Sequence, residues 1–98
     1  MSDFHIVAGL VAKPGTADQL RNDILAVVEA SRKEEGNLAY DLFESLSEPG
    51  QFVLIEHWAS EADQQRHHNE GPHIQHFHAN GDANVEKREF FRALRKLT

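Results

Sequence analysis

Cysteine is absent from this 98-residue chain. That removes disulfides, thiolate metal sites and cysteine nucleophiles together. Basic residues are scarce as well. Ten Lys and Arg stand against sixteen Asp and Glu, a net charge of −6, which argues against nucleic acid or an anionic membrane as the main partner. No apolar run approaches the ~20 residues that a bilayer-crossing helix requires. The start, Met1-Ser2-Asp3-Phe4, lacks the basic and apolar regions of a signal peptide. Glycine-rich phosphate loops, nucleophile elbows and dinucleotide fingerprints are missing, so phosphate cofactors and acyl transfer have no support. There is no internal repeat or low-complexity segment. The expectation is a soluble, cytoplasmic protein with one domain over residues 1–98 and one modest core. A core this small leaves apolar surface uncovered, so a homodimer that completes it is expected.

What is present divides into short periodic segments. Phe4 to Ala12 is β-branched and apolar on both faces and stops at Lys13-Pro14-Gly15, a strand followed by turn residues. Thr16 and Gln19 have capping-box spacing, so a helix is predicted from Ala17, with Leu20, Ile24, Val27 and Val28 as its stripe and Gly36 as its stop. Glu34 and Glu35 then read as part of a solvated charged turn. Strands over Ala39–Leu46 and Gln51–Trp58 are joined by Ser47-Glu48-Pro49-Gly50. Ser60 caps a helix from Glu61, Gly71-Pro72 ends it, and Pro72 opens a short helix through Ala79. The tail from Val85 to Leu97 carries both helical and strand spacings. A strand is preferred, because the first strand and the hairpin leave a sheet edge needing a partner. The resulting order is that of a ferredoxin-like α+β unit: an antiparallel sheet with helices on one face.

In the third strand Phe52, Leu54, Glu56 and Trp58 share one side, and Val53, Ile55 and His57 the other. Helices can cover one side only, which leaves the other for a second subunit. The following helix has a single aliphatic residue, Ala62. Neutral imidazoles are cheaper to bury than an arginine, so His67 and His68 are expected to face the sheet. Asp63, one turn earlier, is placed to fix the tautomer of His67; the plain alternative is an exposed pair on the helix surface. In the next helix Ile74 and Phe77 form the stripe, His73 sits at the pocket edge or is structural, and His76 points outward. Trp58 is either core or a stacking wall for a flat ligand. Glu56, a strand-centre carboxylate, must hold Arg66, orient a histidine or bind substrate. His67, His68, His73, His76 and Glu56 are the available metal ligands. No His-Glu-x-x-His or other strict spacing joins them, and no metal site is expected.

The runs Lys33-Glu34-Glu35-Gly36 with Tyr40, Phe52-Val53-Leu54-Ile55-Glu56-His57-Trp58, and His67 with Pro72-His73 together resemble the antibiotic biosynthesis monooxygenase (ABM) domain family. The resemblance implies a dimeric α/β barrel in which two sheets pack face to face and each subunit keeps a pocket between sheet and helices. It also implies a choice of activities: quinol or polyketide oxygenation without metal, flavin or haem, haem degradation, or isomerisation of phosphorylated signals. Trp58 fits the haem-degrading pattern, but Ala8 stands where that branch carries asparagine. Asp63 and Gln64 replace small apolar residues, which implies a more polar pocket.

The resulting expectation is a monooxygenase without cofactor that uses molecular oxygen to oxidise a quinol- or phenol-type aromatic. His67 would be the base, aligned by Asp63. Trp58 and Tyr40 would wall the pocket, with Glu56, His73 and His68 as further substrate contacts. The rivals are an isomerase acting on a small polar metabolite and a dimer that binds aromatic ligands without turnover.

Overall fold

The computed structural model describes residues 3–98. Met1 and Ser2, on which the reading of the chain's start partly rests, lie outside the described residues. The elements run β1 (Phe4–Ala12), α1 (Ala17–Ser31), β2 (Asn37–Glu44), β3 (Gln51–Trp58), α2 (Glu61–Glu70), α3 (Pro72–Asn80), a short 3₁₀ turn (Asp82–Asn84) and β4 (Val85–Leu94). The four strands make one sheet in the order β2-β3-β1-β4, every neighbouring pair antiparallel. This is the ferredoxin-like α+β arrangement read from the sequence.

Alternation along the strands decides which face is covered. Ile6, Ala8 and Leu10 of β1 and Phe52, Leu54 and Trp58 of β3 are buried against Leu20, Ile24, Val27 and Val28 of α1 and Ile74 and Phe77 of α3. The opposite face carries Val7, Val53, Ile55 and Phe43, and no helix crosses it among the described residues; Ile55 is 45% exposed and Phe43 53%.

Several boundaries differ from expectation for local reasons. The α1 helix ends at Ser31, not at Gly36. Two tighter bonds, Lys33 N to Ala30 O (3.2 Å) and Glu34 N to Ser31 O (3.0 Å), unwind the last turn first. Gly36 serves the turn instead: its φ is +85°, its carbonyl accepts from Ala59 N at 2.8 Å, and a Cβ there would lie 2.3 Å from Asp63 Cγ. The Thr16 capping box does not form, because the Thr16 hydroxyl donates to Lys13 O at 2.8 Å and Gln19 bonds Asp23. Strand β2 runs two residues earlier than predicted; Ser45 turns away to accept from Glu48 N, and Leu46 is left in solvent. The Ser60 cap is present, its hydroxyl accepting from Asp63 N at 3.2 Å.

A bulge in β4 matters most for the site. Phe91 pairs with Ala8 and Phe90 with Gly9, but Leu10 pairs with Arg88, so Glu89 is the extra residue. The slip reverses the alternation and brings Arg88 to the same face as Phe91.

Candidate active site

Between the covered sheet face and α2–α3 lies a cavity of about 90 Å³ whose lining includes Ala8, Tyr40, Glu56, His67 and Phe91. It opens towards a wider depression of about 590 Å³ that shares His68, His78, Arg88 and Phe91. The lining is mostly apolar, with a few polar groups converging from five elements, which is the usual make-up of a small-molecule site.

His67 is the centre of that polar set. It is only 2% exposed, and its ring packs 4.8 Å from the Trp58 indole and 5.5 Å from Tyr40. Its Nδ1 lies 2.5 Å from Glu34 Oε1. Burial lowers the imidazole pKa, with the Glu34 hydrogen bond and charge opposing. The ring is therefore neutral near pH 7, donating Nδ1–H to the carboxylate and keeping the lone pair on Nε2. Among the described residues Nε2 has no protein hydrogen-bond partner, yet it is not sealed from solvent. A neutral imidazole held by a carboxylate at one nitrogen and free at the other has the form of a general base.

The carboxylate comes from the turn that the sequence predicts to be solvated. Because α1 stops at Ser31, the turn carries Glu34 inward, where Oε1 also lies 3.0 Å from His73 Nε2. Asp63, the expected partner, is on the wrong side of the helix. It pairs with Arg66 at 2.5 Å and accepts from the Ser60 hydroxyl at 2.9 Å. The cap that starts α2 thus takes the carboxylate meant for His67.

Glu56 is 4% exposed, and its Oε1 accepts from Trp58 Nε1 at 2.9 Å. None of the three expected roles accounts for this bond; the indole two residues along the same strand face is its partner. Burial raises the Glu56 pKa to about 7, against the Trp58 bond and with help from Glu34. Burial, and then Glu56, push the Tyr40 phenol well above its ordinary value, so Tyr40 remains a hydrogen-bond donor.

The remaining expected contacts divide. Tyr40 and Glu56 border the cavity. Trp58 does not: it is fully buried behind His67, because its N–H finds an acceptor only by turning inward to Glu56. Phe91 supplies the aromatic wall instead. His68 is exposed, not packed on the sheet, and stands at the mouth 5.8 Å from the Phe91 ring. His73 lies behind Glu34, with Nε2 3.2 Å from Ser31 Oγ, so it supports the site and does not line the cavity. His76 bonds Asn80, and His57 stacks on His5 at 4.2 Å on the uncovered face. Glu34, Arg88 and Phe91 are not among the site residues expected from the sequence. For Glu34 a signal existed: a histidine on a helix with no apolar face needs a buried partner.

A family model for antibiotic biosynthesis monooxygenase matches residues 3–80, a span that holds both Glu34 and His67. The chain belongs to the antibiotic biosynthesis monooxygenase family. Over 74 residues this family member is 40% identical to the Bacillus subtilis (strain 168) protein "Putative monooxygenase YcnE", which covers 76% of the chain and 77% of that protein. Among solved structures, PA3566 from Pseudomonas aeruginosa matches at TM-score 0.92 and 30% identity, covering 100% of this chain and 97% of that one. Rv0793 from Mycobacterium tuberculosis matches at 0.89 and 26%, covering 99% and 97%. The family match stops at Asn80, so Arg88 and Phe91 are contributed by a strand beyond it. No helix among the described residues is long and apolar enough to cross a membrane.

Proposed function

We propose that this ABM-family chain is a monooxygenase that oxidises a small phenol or quinol with molecular oxygen and without a bound cofactor. The supporting observation is the Glu34–His67 pair: an imidazole tied through Nδ1 at 2.5 Å and bordering a cavity of about 90 Å³. In the proposed reaction His67 Nε2 takes the phenolic proton, with Glu34 stabilising the imidazolium. The phenolate gives one electron to O₂. The resulting pair recombines at a ring carbon, forming a C–O bond and a hydroperoxide. Loss of the proton on that carbon then breaks the O–O bond; a quinone forms and one oxygen leaves as water. Glu56, with a pKa of about 7, is suited to protonating the departing oxygen, and the Tyr40 phenol to holding the substrate oxyanion. Phe91 would flank the ring.

A second copy would cover the uncovered sheet face, where Phe43, Ile55 and Leu94 are about half exposed, giving the dimeric barrel; the cytoplasmic setting belongs to the same proposal. One observation favours a second reading. His67 and Glu56 border one cavity as a base and a half-protonated acid, which would also serve an isomerase. An oxygen electrode separates the two: a monooxygenase consumes one O₂ per quinone formed from a panel of phenols and quinols, and an isomerase consumes none. Turnover without oxygen uptake, or uptake unchanged in His67→Ala, would rule out the leading reading.

A further inference from the structure

We propose that Glu34, His67 and His73 form a binding site for a divalent transition-metal ion of the zinc class. Their donor atoms come from three separate elements, the turn after α1, α2 and α3, and all lie within 4.8 Å of one another. Two imidazoles and one carboxylate are a donor set that zinc accepts, at bond lengths of ~2.0–2.1 Å. A tetrahedral ion with such bonds spaces its donors roughly 3.4 Å apart. Glu34 Oε1 now stands 2.5 Å from His67 Nδ1 and 3.0 Å from His73 Nε2, so these pairs need to open by less than about 1 Å.

The surroundings suit such a site. The His67 ring is fixed between Tyr40 and Trp58, and the Ser31 hydroxyl, 3.2 Å from His73 Nε2, is placed as a fourth donor. Glu34 and His73 keep 25% and 18% of their side chains in solvent, which gives an ion a way in. His76, the neighbour of His73 at helical spacing, takes no part because it is turned to Asn80.

The ion would occupy His67 Nδ1, so the ring proton would move to Nε2 and the free lone pair would be lost. Metal binding would then switch the base off. That consequence rests on the function proposed above; binding itself does not.

The test titrates Zn²⁺ and Co²⁺ into the purified protein without substrate, followed by calorimetry and, for Co²⁺, visible absorption. One ion per chain is expected, with the absorption of a four-coordinate site. Affinity should fall at least about tenfold in Glu34→Gln and in His73→Gln and stay unchanged in His76→Gln, with the near-ultraviolet dichroism of Trp58 confirming each fold. Failure of the wild type to bind either ion overturns the inference. So does equal affinity in His73→Gln, or an equal loss in His76→Gln. If binding is seen but no phenol is turned over, the metal site stands and the oxygenase reading fails.

Discussion

Replacing Glu34 by Gln keeps the length and shape of the side chain and removes only its charge. The residue is a quarter exposed, so the change should leave folding nearly intact. Its effect falls on His67. A charge-assisted hydrogen bond contributes about 1.5–3 kcal/mol, and this one strengthens as the imidazole becomes positive in the proton-transfer step. At about 1.4 kcal/mol per decade, kcat should fall by roughly 10- to 150-fold. The loss is larger, up to about 10⁴-fold, if the Gln amide donates to Nδ1 and forces the proton onto Nε2. The Michaelis constant should barely move, because Glu34 does not line the cavity. Initial rates of oxygen uptake for wild type, Glu34→Gln and Asp63→Asn give the comparison. Asp63→Asn should stay within about twofold, since Asp63 serves Arg66 and Ser60. A Glu34→Gln enzyme with more than half the wild-type kcat would refute this reasoning.

Glu56 should give stability a definite pH dependence. Its folded pKa of about 7 exceeds the unfolded value of ~4.3, so the folded chain binds more protons between them. Its contribution is greatest below the unfolded pKa and is lost as pH rises through the folded one, by about 4 kcal/mol in all. Urea unfolding at pH 5 and pH 8 should show that decline in wild type and a flatter profile in Glu56→Gln; identical profiles would count against it. Gly36→Ala combines a φ of +85° with a contact of 2.3 Å to Asp63 and should cost at least ~2 kcal/mol, or about 10 °C in Tm. Gly15→Ala, with φ +81° and open space, should cost only ~1 kcal/mol; equal melting shifts would contradict the packing argument. Ile55→Asp on the uncovered face should convert a dimer to monomer in sedimentation. A variant that sediments like wild type would exclude that face as the interface.

Much of the scaffold is legible in the residues, because strands and caps are local signals. Strands β1 and β3 begin and end where their apolar runs do, Ser60 caps α2, and Pro72 opens α3. The site is less legible because its decisive features depend on where chains meet. Nothing in Arg32-Lys33-Glu34 reveals that α1 unwinds well before Gly36, yet that unwinding points Glu34 at His67. The Ser60 cap is legible in the sequence, but its hold on the Asp63 carboxylate is not. Arg88 was hidden by the bulge at Glu89, which breaks the two-residue period of β4. Trp58 was placed on the correct strand face and still missed the cavity, because its indole N–H follows Glu56 into the core.

The most direct test needs no substrate. Long-range ¹H–¹⁵N correlation spectra of the imidazoles at neutral pH report which His67 nitrogen carries the proton. The account predicts a neutral ring with the proton on Nδ1, bonded to Glu34, and an unprotonated Nε2. A His67 ring that is protonated on Nε2, or that titrates like a solvent-exposed imidazole, would contradict it.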